Sequence, residues 1–227
     1  MGIEAFWALY VSELFPTPCE INDIEKQVEL YILAGGLSRR MGGIDKGLIQ
    51  LDKYPLIEHV ILRVRAEFPN QVLAIVTNHP HHYSYLQSLY SISLYPDVLQ
   101  GLGSLGGLFS AFSYCKEKFT VVIACDMPFV DTKLLQEGIR TLCTTQADAF
   151  VPSYQGKLQP FHAVYQTQVC KTAVKNSLES GNRKSCSWLE NIKIIVKEIP
   201  EEYAEKEHPF YNINTPQDLM RVKKLWE

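Results

Sequence analysis

From residue 29 onward, short apolar runs alternate with stretches whose apolar positions recur every three or four residues. The runs at 29–33, 71–77, 92–95 and 120–125 have the length and enrichment of buried strands. Between them, 55–68 places Leu56, Val60, Val64 and Phe68 on or near one helical face, and 81–89 and 105–115 also read as helices. Asp131 is placed to cap a helix running to Leu142. Two strands, 149–154 and 160–165, flank a turn near Gln155-Gly156. A helix at 167–178, a short one near 184–190 and a strand at 193–198 follow. The last helix is announced by Thr215 at N-cap, Pro216 at N1 and Asp218 in the first turn. Strands alternating with helices predict a three-layer αβα architecture around a mostly parallel sheet. In such sheets ligands sit beyond the carboxyl ends of the strands, so chemistry is sought in the loops at 34–46, 96–107 and 126–128.

Composition narrows the class. The chain has 227 residues, 46% apolar and 21% charged, which is globular and long enough for a sizeable core. Twenty-two Lys and Arg against 25 Asp and Glu give a net charge of −3, which argues against a nucleic-acid binder. The six cysteines form no C-x-x-C pair and read as buried thiols of a reducing cytoplasm. The apolar run at 5–11 has no basic residue before it, so it is not a signal peptide. The stretch 98–115 is uncharged but rich in Gly and Ser, and no membrane span is expected there. Residues 1–28 precede the first strand and form an extension, either disordered or a docking segment.

The first loop reads Leu33-Ala34-Gly35-Gly36-Leu37-Ser38-Arg39-Arg40-Met41-Gly42-Gly43-Ile44-Asp45-Lys46. Its glycines let backbone amides approach a ligand, and Arg39, Arg40 and Lys46 face only Asp45 in charge. That combination suits a polyphosphate, although the loop is not a Walker motif. The string LAGGLSRRMGGIDKGL resembles the signature of the molybdenum cofactor guanylyltransferases. The resemblance implies a Rossmann-like fold of the nucleotide-diphosphosugar transferase type. It also implies that Leu33, Ala34, Gly35 and Gly36 contact GTP, that Lys46 binds its phosphates and that Arg40 supports the triphosphate.

The other loops extend the resemblance. Asp97 matches the aspartate that meets the guanylyl nucleotide, and Gly103 belongs to a following glycine run in which Ser104 stands for the usual proline. Asn78, just after a strand, is placed to touch base or ribose. The Cys125-Asp126-Met127-Pro128 segment matches the family's metal-binding position, which makes Asp126 a Mg²⁺ ligand, a choice that suits a hard oxygen donor. Read alone, GLGSLG with Asp126 beyond it satisfies a dinucleotide fingerprint, and an NAD-dependent oxidoreductase is the rival it implies. Asn212 and Asn214 resemble the family's N-x-N-T-P segment. Arg183 and Lys184 resemble its basic acceptor turn, and these four residues would meet the pterin. His162 follows Phe161, where the family has a small polar residue, and is read as structural. The His79, His81 and His82 group matches no standard zinc spacing.

The resemblance implies one nucleotidyltransferase domain over 29–227, with a GTP-binding half at 29–130 and an acceptor half at 131–227. The implied reaction is transfer of GMP from GTP to molybdenum-bound molybdopterin, with release of pyrophosphate. Arg40, Lys46 and Asp126 would be its catalytic residues. Partners would be GTP, molybdenum-molybdopterin and molybdopterin-loading or apo-molybdoenzyme proteins. Two further alternatives stay open: cytidylyl transfer to molybdopterin or a sugar phosphate, and a non-catalytic GTP-binding partner.

Overall fold

The computed structural model describes residues 26–35, 45–204 and 208–226. The extension at 1–28 thus falls almost wholly outside the described residues, as do Gly36 and Arg40. A mixed sheet runs in the order β10-β7-β9-β6-β1-β4-β5. Its strands are β1 Val28–Leu33, β4 Val72–Val76, β5 Ser93–Tyr95, β6 Phe119–Ala124, β7 Ala149–Tyr154, β9 His162–Gln166 and β10 Ile194–Ile199. Neighbours β6, β1, β4 and β5 are parallel, as are β7 and β10. Strand β9 is inserted antiparallel between β6 and β7.

The apolar runs are continuous because both faces of the sheet are covered. Alternate side chains go to opposite layers. Leu30, Ile32, Val121 and Ile123 pack with Ile57, Val60, Ile61 and Val64 of α1 Leu56–Glu67 and with Leu135 and Ile139 of α4 Thr132–Thr144. Tyr31 and Val122 face the other layer, with Leu108 and Phe112 of α3 Gly103–Tyr114 and Val174 of α5 Thr167–Glu179. The Asp131 cap is present: its carboxylate accepts from the Leu134 amide at 3.0 Å. The remaining helices are α2 Ser84–Tyr90 and α6 Pro216–Trp226.

Three short strands escaped the sequence reading, as did the 3₁₀ turns Lys46–Leu48 and Glu201–Ala204. Strands β2 Gln50–Leu51 and β3 Tyr54–Pro55 form a hairpin, and β8 Lys157–Leu158 folds back on β7. Two-residue strands carry too little periodicity to detect. The β7–β8 turn was placed correctly, and both its residues have positive φ, Gln155 at 50° and Gly156 at 70°, as a tight type I′ hairpin needs. Helix α3 starts two residues earlier than its apolar pattern suggested, because glycine and serine make its first turn look like loop. The short element near 184–190 is a 3₁₀ helix, Ser187–Asn191.

Helix α4 lies unusually close to the sheet at Gly138. A Cβ there would stand 2.7 Å from Phe150 Cδ1 and 2.8 Å from Val164 Cγ2. Gly138→Ala is therefore expected to destabilise the fold by about 1–3 kcal/mol despite alanine's better helix propensity. Thermal melting should show a drop of several degrees, given roughly 2–4 °C per kcal/mol at this size.

Candidate active site

Strand β1 lies between β4 and β6, so the chain leaves it in one direction and returns on the other side. That reversal is where a parallel sheet opens a crevice at its carboxyl edge. A cavity of about 260 Å³ lies there, lined by Leu33, Ala34, Gly35, Asp45, Lys46 and other residues of the same edge. The Ala34 amide donates to Val76 O at 2.8 Å and the Cys125 amide to Leu33 O at 3.1 Å. The loops after β1, β4 and β6 are thus tied together at the crevice floor.

Lys46 opens a 3₁₀ turn, Lys46–Leu48, whose Leu48 and Ile49 amides donate to Asp45 O and Lys46 O. Its Nζ donates to Asp126 Oδ2 at 3.2 Å and to Asn214 Oδ1 at 2.5 Å. One cation therefore joins the loop after β1, the loop after β6 and the C-terminal segment. Asp126 is only 8% exposed. Burial pushes its carboxyl above the usual range, and Lys46 pulls it part of the way back. The Asp126 carbonyl accepts from the Ile213 amide at 3.1 Å, which docks the Asn212–Thr215 stretch against the same loop. Ile213 is fully buried with Ile49, Leu51, Leu56, Phe129 and Val222. Thr215 and Asp218 form a reciprocal cap: Asp218 N donates to Thr215 Oγ1 at 3.1 Å, and Thr215 N to Asp218 Oδ2 at 2.8 Å. This cap starts α6 and holds Asn214 in place beside Lys46.

The other side of the crevice is built on Asp97, 7% exposed. Its Oδ2 accepts from Asn78 Nδ2 at 2.7 Å, while Oδ1 is buried without a hydrogen-bond partner. Burial raises its pKa, and the Asn78 amide and the nearby Ser110 hydroxyl partly offset that. Gly35 and Gly107 flank this carboxylate: a Cβ on Gly35 would lie 3.6 Å from Oδ2, and one on Gly107 4.0 Å from Oδ1. Asn78 thus faces Asp97 rather than open space, so its amide orients that acid.

Seven expected residues converge here: Leu33, Ala34, Gly35, Lys46, Asp126, Asn212 and Asn214 all line the cavity, while Asp97 and Asn78 stand behind Gly35, outside the lining. Gly103 sits at the start of α3 at φ +60°, but its neighbours Ser104 and Gly107 form the lining. Arg183 and Lys184 are exposed in the turn after α5, outside the lining. Phe161 lines the cavity and was missed. It precedes β9, and an antiparallel strand begins at the edge where its parallel neighbours end. Only strand pairing, which no local pattern shows, would have revealed it.

Other groups are set aside by their surroundings. His162 is fully buried, its Nε2 is 3.1 Å from Asp131 O, and burial lowers its pKa to about 4, as a structural histidine requires. Cys125 lines the cavity, but burial and the adjacent Asp126 push its thiol well above its ordinary value. The rings of His79, His81 and His82 lie within 4.1–6.1 Å of one another. Among the described residues, no group of three or more His, Cys, Asp or Glu is arranged to hold a metal ion. No described helix is long and apolar enough to cross a membrane. The dinucleotide fingerprint is not favoured. Its glycines wind into α3 well after β5, and a Cβ on Gly106 would stand 3.1 Å from Leu99 O, so that glycine serves packing. Asp126, the supposed ribose acid, is bound to Lys46.

Comparison with known proteins agrees with this geometry. Residues 30–193 match the profile of the MobA-like NTP transferase domain. The molybdenum cofactor guanylyltransferase of Shewanella halifaxensis is 31% identical over 197 residues, covering 86% of this chain and 94% of that protein. The crystal structure of molybdopterin-guanine dinucleotide biosynthesis protein A from Archaeoglobus fulgidus superposes with a TM-score of 0.73 at 26% identity. The match covers 87% of this chain and 98% of that one. The 4-diphosphocytidyl-2C-methyl-D-erythritol synthase of Anaerococcus prevotii shares the fold, with a TM-score of 0.69, 12% identity, and coverage of 92% and 99%.

Proposed function

The chain belongs to the MobA-like NTP transferase family, and on that premise we propose that it transfers GMP from GTP to the terminal phosphate of molybdenum-bound molybdopterin. The products are the guanine dinucleotide cofactor and pyrophosphate. The observation that supports guanine most directly is the unpartnered, buried Oδ1 of Asp97 between Gly35 and Gly107. Guanine presents two adjacent N–H donors on its Watson–Crick edge, which one carboxylate accepts together. Adenine and cytosine present a single amino donor beside a ring acceptor, and that acceptor would face the carboxylate. Cytidylyl transfer is the weaker reading for this reason.

In the reaction, a phosphate oxygen of the pterin attacks the α-phosphorus of GTP in line. A new P–O bond forms, and the bond to the β-phosphate oxygen breaks with its electron pair leaving on pyrophosphate. The attacking oxygen is already anionic, so the residues present need only orient it and offset charge. Lys46 holds the nucleotide phosphates, Asn212 and Asn214 orient the acceptor, and Arg40, Arg183 and Lys184 add positive charge. Asp126 and Asn214, whose side-chain oxygens both accept from Lys46, are the hard oxygen donors that would hold Mg²⁺ once Lys46 turns to the nucleotide phosphates, and such an ion takes few protein ligands. When bound, Mg²⁺ would neutralise charge developing on the leaving group. Leu33, Ala34 and Gly35 would let the nucleotide approach the backbone closely, with Gly103 at the edge. The enzyme would act in the cytoplasm and pass its product to molybdoenzyme apoproteins or their loading partners.

Calorimetric titration with GTP, CTP and ATP in the presence of Mg²⁺ tests the base assignment. GTP is expected to bind at least about tenfold more tightly than either rival. Equal affinities would remove the role given to Asp97.

A further inference from the structure

We infer that Tyr83 is a positioning residue that sets the place of Lys46 by clasping Asp45 from beneath the loop. This inference rests on the reading of Lys46 as a phosphate-binding cation. Tyr83 comes from the 3₁₀ turn Pro80–Tyr83 after β4, far along the chain from the glycine loop, and is fully buried. Its hydroxyl donates to Asp45 Oδ1 at 2.5 Å. Burial above all pushes the phenol upward, so it stays protonated and keeps donating. On its other oxygen, Asp45 faces His82 Nδ1 at 3.5 Å.

The next two residues show why this contact governs Lys46. The backbone of Asp45 accepts from Leu48 N at 3.0 Å, closing the turn that begins at Lys46. Gly47 sits directly against the phenol: a Cβ there would lie 2.7 Å from Tyr83 Oη and 3.4 Å from Ile57 Cβ. Only glycine lets the turn close onto the ring. The ring side is fixed by the core, where Tyr83 packs among Ile57, Val60 and Leu86. The loop side is therefore the part that yields when the clasp is lost. Lys46 then loses its defined approach to Asp126 and Asn214, and nucleotide phosphates meet a looser cation.

The test removes only the hydroxyl. Tyr83→Phe keeps the buried ring, so the fold is expected to persist. In the free protein, amide exchange at Leu48 and Ile49 should accelerate. In turnover, KM for the nucleotide should rise about tenfold with kcat within twofold, because the loss is one of ground-state phosphate binding. Asp45→Ala should give the same split, and the double variant should be no worse than the poorer single one. Unchanged KM and unchanged exchange in Tyr83→Phe would overturn the inference, as would effects of the two substitutions that multiply independently. The wild type separates this outcome from failure of the guanylyl reading. If it turns over a nucleotide other than GTP, that reading fails, and the same KM comparison is made with the nucleotide it uses.

Discussion

Asp126→Asn is expected to lower kcat by about a thousandfold at saturating GTP and Mg²⁺, with a melting temperature equal to or above that of the wild type. The two halves of this result have one cause. Asp126 lies at the carboxyl edge of β6, nearly buried, and burial disfavours its charge. A carboxyl whose folded pKa is raised favours folding below its unfolded pKa, and that contribution is lost as pH rises through the folded value. At neutral pH its charge is therefore a cost to the fold. Asparagine keeps the shape and removes that cost, while Lys46 retains Asn214 Oδ1 as a partner. On the proposed reading, what disappears is the anionic oxygen that would hold Mg²⁺ against the triphosphate. Steady-state kinetics and thermal melting on the same preparation check both halves. Loss of folding together with activity, or near-normal kcat, would count against the assignment.

Asp97→Asn should alter selectivity more than speed. Asparagine keeps one oxygen acceptor and puts an NH2 group, which only donates, in place of the other carboxylate oxygen. Against guanine, one of two base donors then goes unpaired and the new donor faces another donor. A site built to pair polar groups rejects a mismatch strongly, because the buried groups lose their partners. KM for GTP is expected to rise roughly 30- to 100-fold, and the preference for GTP over ATP or CTP to collapse to within a few-fold. The substitution also leaves Asn78 beside a neutral partner in place of a carboxylate. Competition assays with mixed nucleotides measure the preference directly. Retained preference for GTP would show that the base is read elsewhere in the crevice.

The strands flanking this site were legible because their side chains fill two packed layers, which leaves continuous apolar runs. Caps were legible where the chemistry is local, as at Asp131 and at Thr215 with Asp218. The composition of the glycine loop suggested a phosphate ligand, and the resemblance pointed to Lys46, Asp97 and Asp126, which the fold brings to one sheet edge. Sheet order was not legible, since nothing near β9 signals that it enters antiparallel between β6 and β7. Phe161 was lost for that reason. The partners of Lys46 were hidden too, because Asn214 stands 168 residues away and meets it only once Ile213 docks on the Asp126 loop. The hydrogen bond from Asn78 to Asp97 was hidden as well, since it depends on how β4 and β5 align.

Pyrophosphate release is the most direct measure of guanylyl transfer to molybdopterin. The purified protein is incubated with Mg²⁺ and GTP, CTP or ATP, each with and without molybdenum-loaded molybdopterin. Stoichiometric pyrophosphate is expected only when GTP and the molybdenum-loaded pterin are both present, with the guanine dinucleotide cofactor recovered as the co-product. Pyrophosphate formed equally well from CTP, or formed from GTP without dependence on the pterin, would contradict guanylyl transfer to molybdopterin.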